Sequence, residues 1–307
     1  GDNRVNVATG LTTLHTLFVR YHNMLASQLR QINPRWNDER LYQEVRKLVI
    51  AIFQHVTYNE YLHVILGSSI MDTYGLRSTG HFHYQDHIDA SIRNAFSTAA
   101  FRFGHSTIPS ITKYIFPDRE TTQPLEDTLM RPTFVNKQKG TFIVHIGRWM
   151  TRTTSPPVDR DKILYDLEHA LVSINIFSIV VSLNLQRGRD HGIPPYNKWR
   201  EFCGLSKARD FSTYGGLEDH SAENAYLLES LYKNVEDIDL FAGGISERHV
   251  HGAAMGPTFA CIVARQFHNL KYGDRFWYEK DGLFTPGIYI CLEILSPRFC
   301  VQVCHVL

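Results

Sequence analysis

The chain of 307 residues is short of several things, and each shortage removes a class of function. It has almost no charge excess: 32 Lys and Arg stand against 31 Asp and Glu, a formal net charge of +1. Electrostatics therefore give no case for a nucleic-acid partner or an anionic membrane surface. No apolar run is long enough for a transmembrane segment, and the richest, Ile176 to Leu183, is far too short. The five cysteines (Cys203, Cys261, Cys291, Cys300 and Cys304) form no CxxC pair, and the 16 histidines form no HExxH, so no zinc motif is present. There is no Asn-x-Ser/Thr acceptor, no initiator Met, no signal peptide, no internal repeat and no low-complexity tract. The chain reads as processed or as a fragment. Strand signals are weak.

What is present is helical periodicity in a chain that is 43% hydrophobic, ample for one large domain or two small ones. Leu11, Leu14, Phe18, Tyr21 and Leu25 recur at helical spacing and predict a helix over 11–30, broken at Asn33-Pro34. Asn37 is placed to cap a second helix, with Asp38 and Glu39 in its positive first turn. The pattern carries that helix to Leu66, with Gly67 as its stop. Residues 68–88 read as a loop, 89–104 as a helix, 117–160 as a long connection with short helices, and 161–183 as an apolar helix. Further helices are expected over 199–203, 222–234 and 257–270. Pro194-Pro195, Tyr214-Gly215-Gly216 and Ala242-Gly243-Gly244 read as turns.

Two runs carry chemistry. Ala100-Phe101-Arg102-Phe103-Gly104-His105 ends an apolar, helix-compatible segment, and Asn184-Leu185-Gln186-Arg187-Gly188-Arg189-Asp190-His191-Gly192 follows downstream. Together they supply an imidazole, an amide able to orient it, and two or more cations. A haem iron with an axial histidine and two propionates needs such groups. Taken alone, a helix-end histidine is more often structural, and an arginine near a helix end is more often a surface charge.

The ordered motifs resemble the animal haem peroxidases, the group that includes myeloperoxidase, peroxidasin, peroxinectin and chorion peroxidases. Besides the two runs above, the matching stretches include Gly1 to Asn6, Leu14 to Phe18, Asn33-Pro34-Arg35-Trp36, Glu39 to Glu44, Gln54 to Glu60, Phe241 to Gly244 and Gly273 to Trp277. The resemblance implies a mainly α-helical, animal haem-peroxidase-like single domain over 1–307, incomplete at both its N- and C-termini. It implies a haem b cofactor with His105 as the axial iron ligand, Asn184 accepting the ring N–H of that histidine, and Arg102 and Arg187 as propionate partners. Arg4 matches the catalytic distal arginine, which would stabilise charge developing on peroxide. Arg189, Asp190 and His191 read as a structural ion-pair cluster. Cys203 and Cys261 match a disulfide, which implies a secreted or extracellular setting. Cys300 matches a cysteine whose usual partner lies beyond Leu307.

The resemblance also implies partners: hydrogen peroxide and a small phenolic donor. The family's distal histidine and calcium ligands precede the Arg4 motif, so calcium is expected only in the full domain. The distal histidine would then belong to a separate N-terminal chain or segment, the sequence would be a fragment, or the protein would not do the chemistry alone. His15, His22 and His55 read as core or helix-contact residues. Val7 stands where an ester-forming glutamate is usual, and Tyr21 and Ile179 also replace acids. Two functions compete: a haem-dependent peroxidase that reduces hydrogen peroxide by one-electron oxidation of phenolic donors, and a catalytically impaired peroxidase-like adhesion or interaction protein.

Overall fold

The computed structural model describes residues 2–79, 82–109, 111–129, 131, 142–152 and 176–284. Its helices are α1 (Thr9–Ile32), α2 (Asp38–Val56), α3 (Leu62–Thr73), α4 (Asn94–Thr98), α5 (Leu125–Thr128), α6 (Phe142–Arg152), α7 (Ile176–Asp190), α8 (Tyr196–Phe202), α9 (Ala222–Leu231), α10 (Leu240–Ser246) and α11 (Pro257–Tyr272). Short 3-10 helices span Asn3–Asn6, Ala100–Thr107 and Val235–Asp237, and a π turn spans Thr57–Tyr61. β1 (Ile111–Ile115) and β2 (Glu120–Pro124) pair antiparallel, from Ile111 opposite Pro124 to Ile115 opposite Glu120. The expected parts of the helix over 161–175, and Cys291, Cys300 and Cys304, lie outside the described residues.

The chain divides into two compact units, each built from separated stretches of sequence. The first contains α1, α2, the hairpin and α6. Asn37 does cap α2: its Oδ1 accepts the Arg40 N–H at 3.0 Å. α1 buries Thr9, Thr13, Leu17 and Tyr21, a four-residue stripe, while Leu11 and Leu14 stay exposed. The predicted apolar stripe of α1 is thus wider than the face it buries. The surplus joins Val49, Ile50 and Phe53 of α2 along an apolar groove. His55 is core, as expected, whereas His15 is exposed and bonds its own helix, through the Leu11 carbonyl at 2.7 Å. The hairpin falls where no strand was expected. Ile111-Thr112-Lys113-Tyr114-Ile115 has the β-branched and aromatic make-up of a strand, and its Tyr114 and Ile115 are buried.

The second unit holds the rest of the core, with Trp277, Tyr278, Tyr196 and Phe259 among its largest fully buried side chains. Cys203 and Cys261 are bridged, joining the end of α8 to α11. Three expectations change here. Gly67 does break the helix, with a φ of +73°, a ψ of 162° and a Cβ position 2.7 Å from the Gly252 carbonyl oxygen, but helix resumes beyond it to Thr73, where a loop was expected. The predicted helix over 89–104 is broken at Ala99 into α4 and a 3-10 helix. The break lets Phe96 and Phe101 stack, ring centroids 4.5 Å apart. Residues five apart on a continuous α-helix would point about 140° away from each other. Finally, Gly243 and Gly244 lie inside α10 rather than in a turn. They are small because neighbours press close: a Cβ on Gly243 would sit 2.5 Å from the Tyr196 ring, and one on Gly244 would enter the Phe259 ring.

Candidate haem-proximal site

His105 lies in the 3-10 helix that follows α4. That helix is fixed by side chains returning to its own backbone: Ser106 Oγ donates to the Phe103 carbonyl at 2.9 Å and Thr107 Oγ1 to the Gly104 carbonyl at 2.8 Å. The imidazole is half-buried. Asn184, 1% exposed in the middle of α7, reaches it: Asn184 Nδ2 and His105 Nδ1 are 3.1 Å apart, across 79 residues of sequence. Arg102 Nη1 donates to Asn184 Oδ1 at 3.0 Å, and Arg102 Nε donates to the Ser97 carbonyl at 3.0 Å. Three of the expected residues are therefore one connected group.

The direction of the amide differs from the expectation. Asn184 does not accept from the histidine; its oxygen is taken by Arg102, a group with donors only, so its NH₂ faces the imidazole. Nδ1 of His105 accepts, and the ring proton sits on Nε2. Burial, then the positive charge of Arg102, hold the pKa of His105 below its ordinary value. In this tautomer Nε2 carries the proton, so it becomes able to hold a metal once the Asn184 amide turns its oxygen to the ring and the proton moves to Nδ1.

Arg187, one turn beyond Asn184 on α7, is exposed and close enough to Arg102 to disfavour its charge. Burial, then Arg187, lower the pKa of Arg102. Among the described residues neither guanidinium has a carboxylate partner. Two like charges left without counter-ions beside a neutral histidine suit a ligand that carries its own anions. The groups present thus fit a haem with two propionates. Among the described residues no cluster of three His, Cys, Asp or Glu side chains could hold a bare metal ion.

Arg4 lies in the first unit. Asp2 caps its 3-10 helix, accepting the Arg4 backbone N–H at 2.8 Å and Arg4 Nε at 2.8 Å, with a further short contact from Nη2. The hydrogen bonds from the Arg4 side chain, then from its backbone, hold the Asp2 carboxyl at about 2. The Arg4 side chain is 85% exposed.

The run 189–191 is not an internal ion-pair cluster. Arg189 pairs with Asp239, His191 with Asn94, and Asp190 takes the Gln186 amide of its own helix. Asp239 and Asn94 were missed in the sequence because their partners are distant in the chain. The residue before α10 and the first residue of α4 look like ordinary helix starts.

The animal haem peroxidase family model matches residues 1–289, and the chain belongs to that family. Among its curated relatives, pig thyroid peroxidase (Sus scrofa) is 38% identical over 293 residues, covering 93% of this chain and 31% of that protein. Peroxidasin of Drosophila melanogaster is 37% identical over 300 residues, covering 93% of this chain and 19% of that protein. The chain thus spans between about a fifth and a third of the length of these relatives. Among solved structures, peroxidase A of Dictyostelium discoideum superimposes with a TM-score of 0.79 at 30% identity, over 98% of this chain and 56% of that one. A fatty acid alpha-dioxygenase of Oryza sativa, at 18% identity and a TM-score of 0.72, shares the fold. Among the described residues no helix is long and apolar enough to cross a membrane.

Proposed function

We propose that this chain supplies the proximal side of a haem peroxidase that reduces hydrogen peroxide with one-electron oxidation of small phenolic donors. One observation carries the reading: the buried amide of Asn184 holds His105 at 3.1 Å while Arg102 and Arg187 stand beside it, neither with a carboxylate partner among the described residues. Arg102 would leave Asn184 to take a propionate, with Arg187 as the second propionate partner. The freed amide would then turn its oxygen to the ring, move the proton to Nδ1 and leave His105 Nε2 to ligate the iron. The haem supplies the redox chemistry when bound. The protein's part is to keep the imidazole neutral, oriented and partly shielded from water. Arg4 would act on the peroxide side, stabilising charge as the O–O bond breaks. Residues 1–307 are then part of a single animal haem peroxidase domain whose full form would also carry the distal histidine and calcium. The Cys203–Cys261 bridge supports an oxidising, extracellular setting.

A second reading, a peroxidase-like interaction protein with little turnover, draws on Arg4. Its guanidinium is exposed and already taken by Asp2. Peroxide-dependent oxidation of a phenolic dye by the haem-loaded protein separates the two. Steady turnover that falls at least tenfold in Arg4→Ala, with haem binding unchanged, supports the first. A loaded protein whose dye oxidation does not exceed that of free hemin supports the second.

A further inference from the structure

At the C-terminal end of α7, Arg189 and the residue just after the helix, His191, send their side chains toward different neighbours. Arg189 donates through Nε and Nη2 to Asp239 Oδ1 and Oδ2 at 3.1 and 2.7 Å. Asp239 is 17% exposed, and the Tyr232 hydroxyl donates to the same carboxylate at 2.9 Å. A two-point guanidinium–carboxylate contact fixes orientation as well as distance. Asp239 immediately precedes α10, whose Phe241 lines a small cavity beside Asn184. On the other side, His191 Nδ1 donates to Asn94 Oδ1 at 2.8 Å, and Asn94 Nδ2 donates to the His191 carbonyl at 3.4 Å. Asn94 is the first residue of α4, and the chain runs from there directly into the 3-10 helix that bears Arg102 and His105.

Both halves of the His105–Asn184 contact are therefore tied to one helix end by groups that touch neither residue. A slide of about 1 Å between α7 and α4 would carry the 3.1 Å contact outside hydrogen-bonding range. We propose that Arg189 and His191 are positioning residues: with Asp239 and Asn94 they lock α7 to both neighbours and so set the contact that orients the imidazole. The assignment rests on the reading of His105 as the haem ligand.

The test uses the full chain, labelled with ¹⁵N-histidine, haem-free and hemin-loaded. The variants are Asp239→Ala, Asn94→Ala and, as control, Asp190→Ala, whose carboxylate meets, among the described residues, Gln186 of its own helix at 2.9 Å. His105 resonances are assigned by their loss in His105→Gln. Asp239→Ala and Asn94→Ala should each shift the His105 ring nitrogens and weaken hemin binding about five- to tenfold, the scale of one or two lost hydrogen bonds. Asp190→Ala should match the parent. The exchanged pair Arg189→Asp with Asp239→Arg should return affinity to within about twofold of the parent, which a merely structural loss would not allow. Parent-like His105 nitrogens in both clamp variants, equal damage from Asp190→Ala, or a folded exchanged pair without recovery would overturn the proposal. If the parent binds no hemin, the ligand reading falls on its own, while the haem-free nitrogen shifts still decide the clamp.

Discussion

Arg102 Nη1 stands 3.0 Å from Asn184 Oδ1, and that contact decides which end of the amide faces His105. A guanidinium only donates, so it can hold the amide in one of its two orientations. The state of the arginine is thereby linked to the tautomer of the histidine two bonds away.

Removing the arginine should reverse that tautomer. In Arg102→Ala the Asn184 amide is free to turn its oxygen toward the ring, and His105 Nδ1 should change from acceptor to donor. The ¹⁵N shift of Nδ1 should move from the unprotonated to the protonated range. The His105 pKa should also rise, because a repelling charge has gone. An Nδ1 that remains unprotonated in the neutral ring would show that Arg102 does not orient the amide.

Stability should depend on pH through His220. Its Nε2 lies 3.0 Å from the Gly243 carbonyl and its Nδ1 is buried with no partner, so a second ring proton would have nowhere to bond. Burial is the main cause that lowers its pKa from 6.5 to about 4. The unfolded chain takes up this proton near 6.5 and the folded chain does not. The contribution is therefore full above pH 6.5 and is lost as pH falls toward 4, amounting to about 3 kcal/mol. Urea unfolding at several pH values checks it. The difference in slope between the parent and His220→Gln isolates this residue from Glu247, whose pKa burial raises to about 7 and whose slope over pH 4.5–7 has the opposite sign.

Reduction of the Cys203–Cys261 bridge releases a loop of 58 residues. The expected cost is about 4 kcal/mol on a chain-entropy account. Denaturant unfolding of the double Cys→Ser variant should show a lower midpoint. A midpoint within error of the parent would mean that the bridge contributes nothing.

The paired glycines of α10 should tolerate nothing larger. Gly244→Ala places a methyl in the Phe259 ring, and both residues are fully buried. A loss of about 1–3 kcal/mol is expected from overpacking, despite alanine's better helix propensity. A calorimetric Tm equal to or above the parent's would contradict the packing argument.

The parts of the fold legible in the sequence are those set by local signals. α1, α2 and α11 follow from apolar spacing, the Asn37 cap and the proline that starts α11. The illegible parts are set by distant neighbours. Ala242-Gly243-Gly244 carries turn composition, but the rings of Tyr196 and Phe259 make it a helix that needs glycine. The apolar segment ending at His105 has helical spacing, but it breaks at Ala99, where Phe96 comes to stack on Phe101. The meeting of His105, Asn184 and Arg102 was foreshadowed only by the two motifs, because no spacing rule joins His105 to a residue 79 positions away. What escaped was the direction of the Asn184 amide and the partners of Arg189 and His191, since each depends on a side chain from another element.

The central claim is that His105 grips the haem iron. Titrating the full chain with hemin and following the Soret band tests it most directly. The account predicts a saturable, shifted band in the parent, a band weakened in Asn184→Ala, and no such band in a folded His105→Ala. An unchanged band in His105→Ala would contradict it.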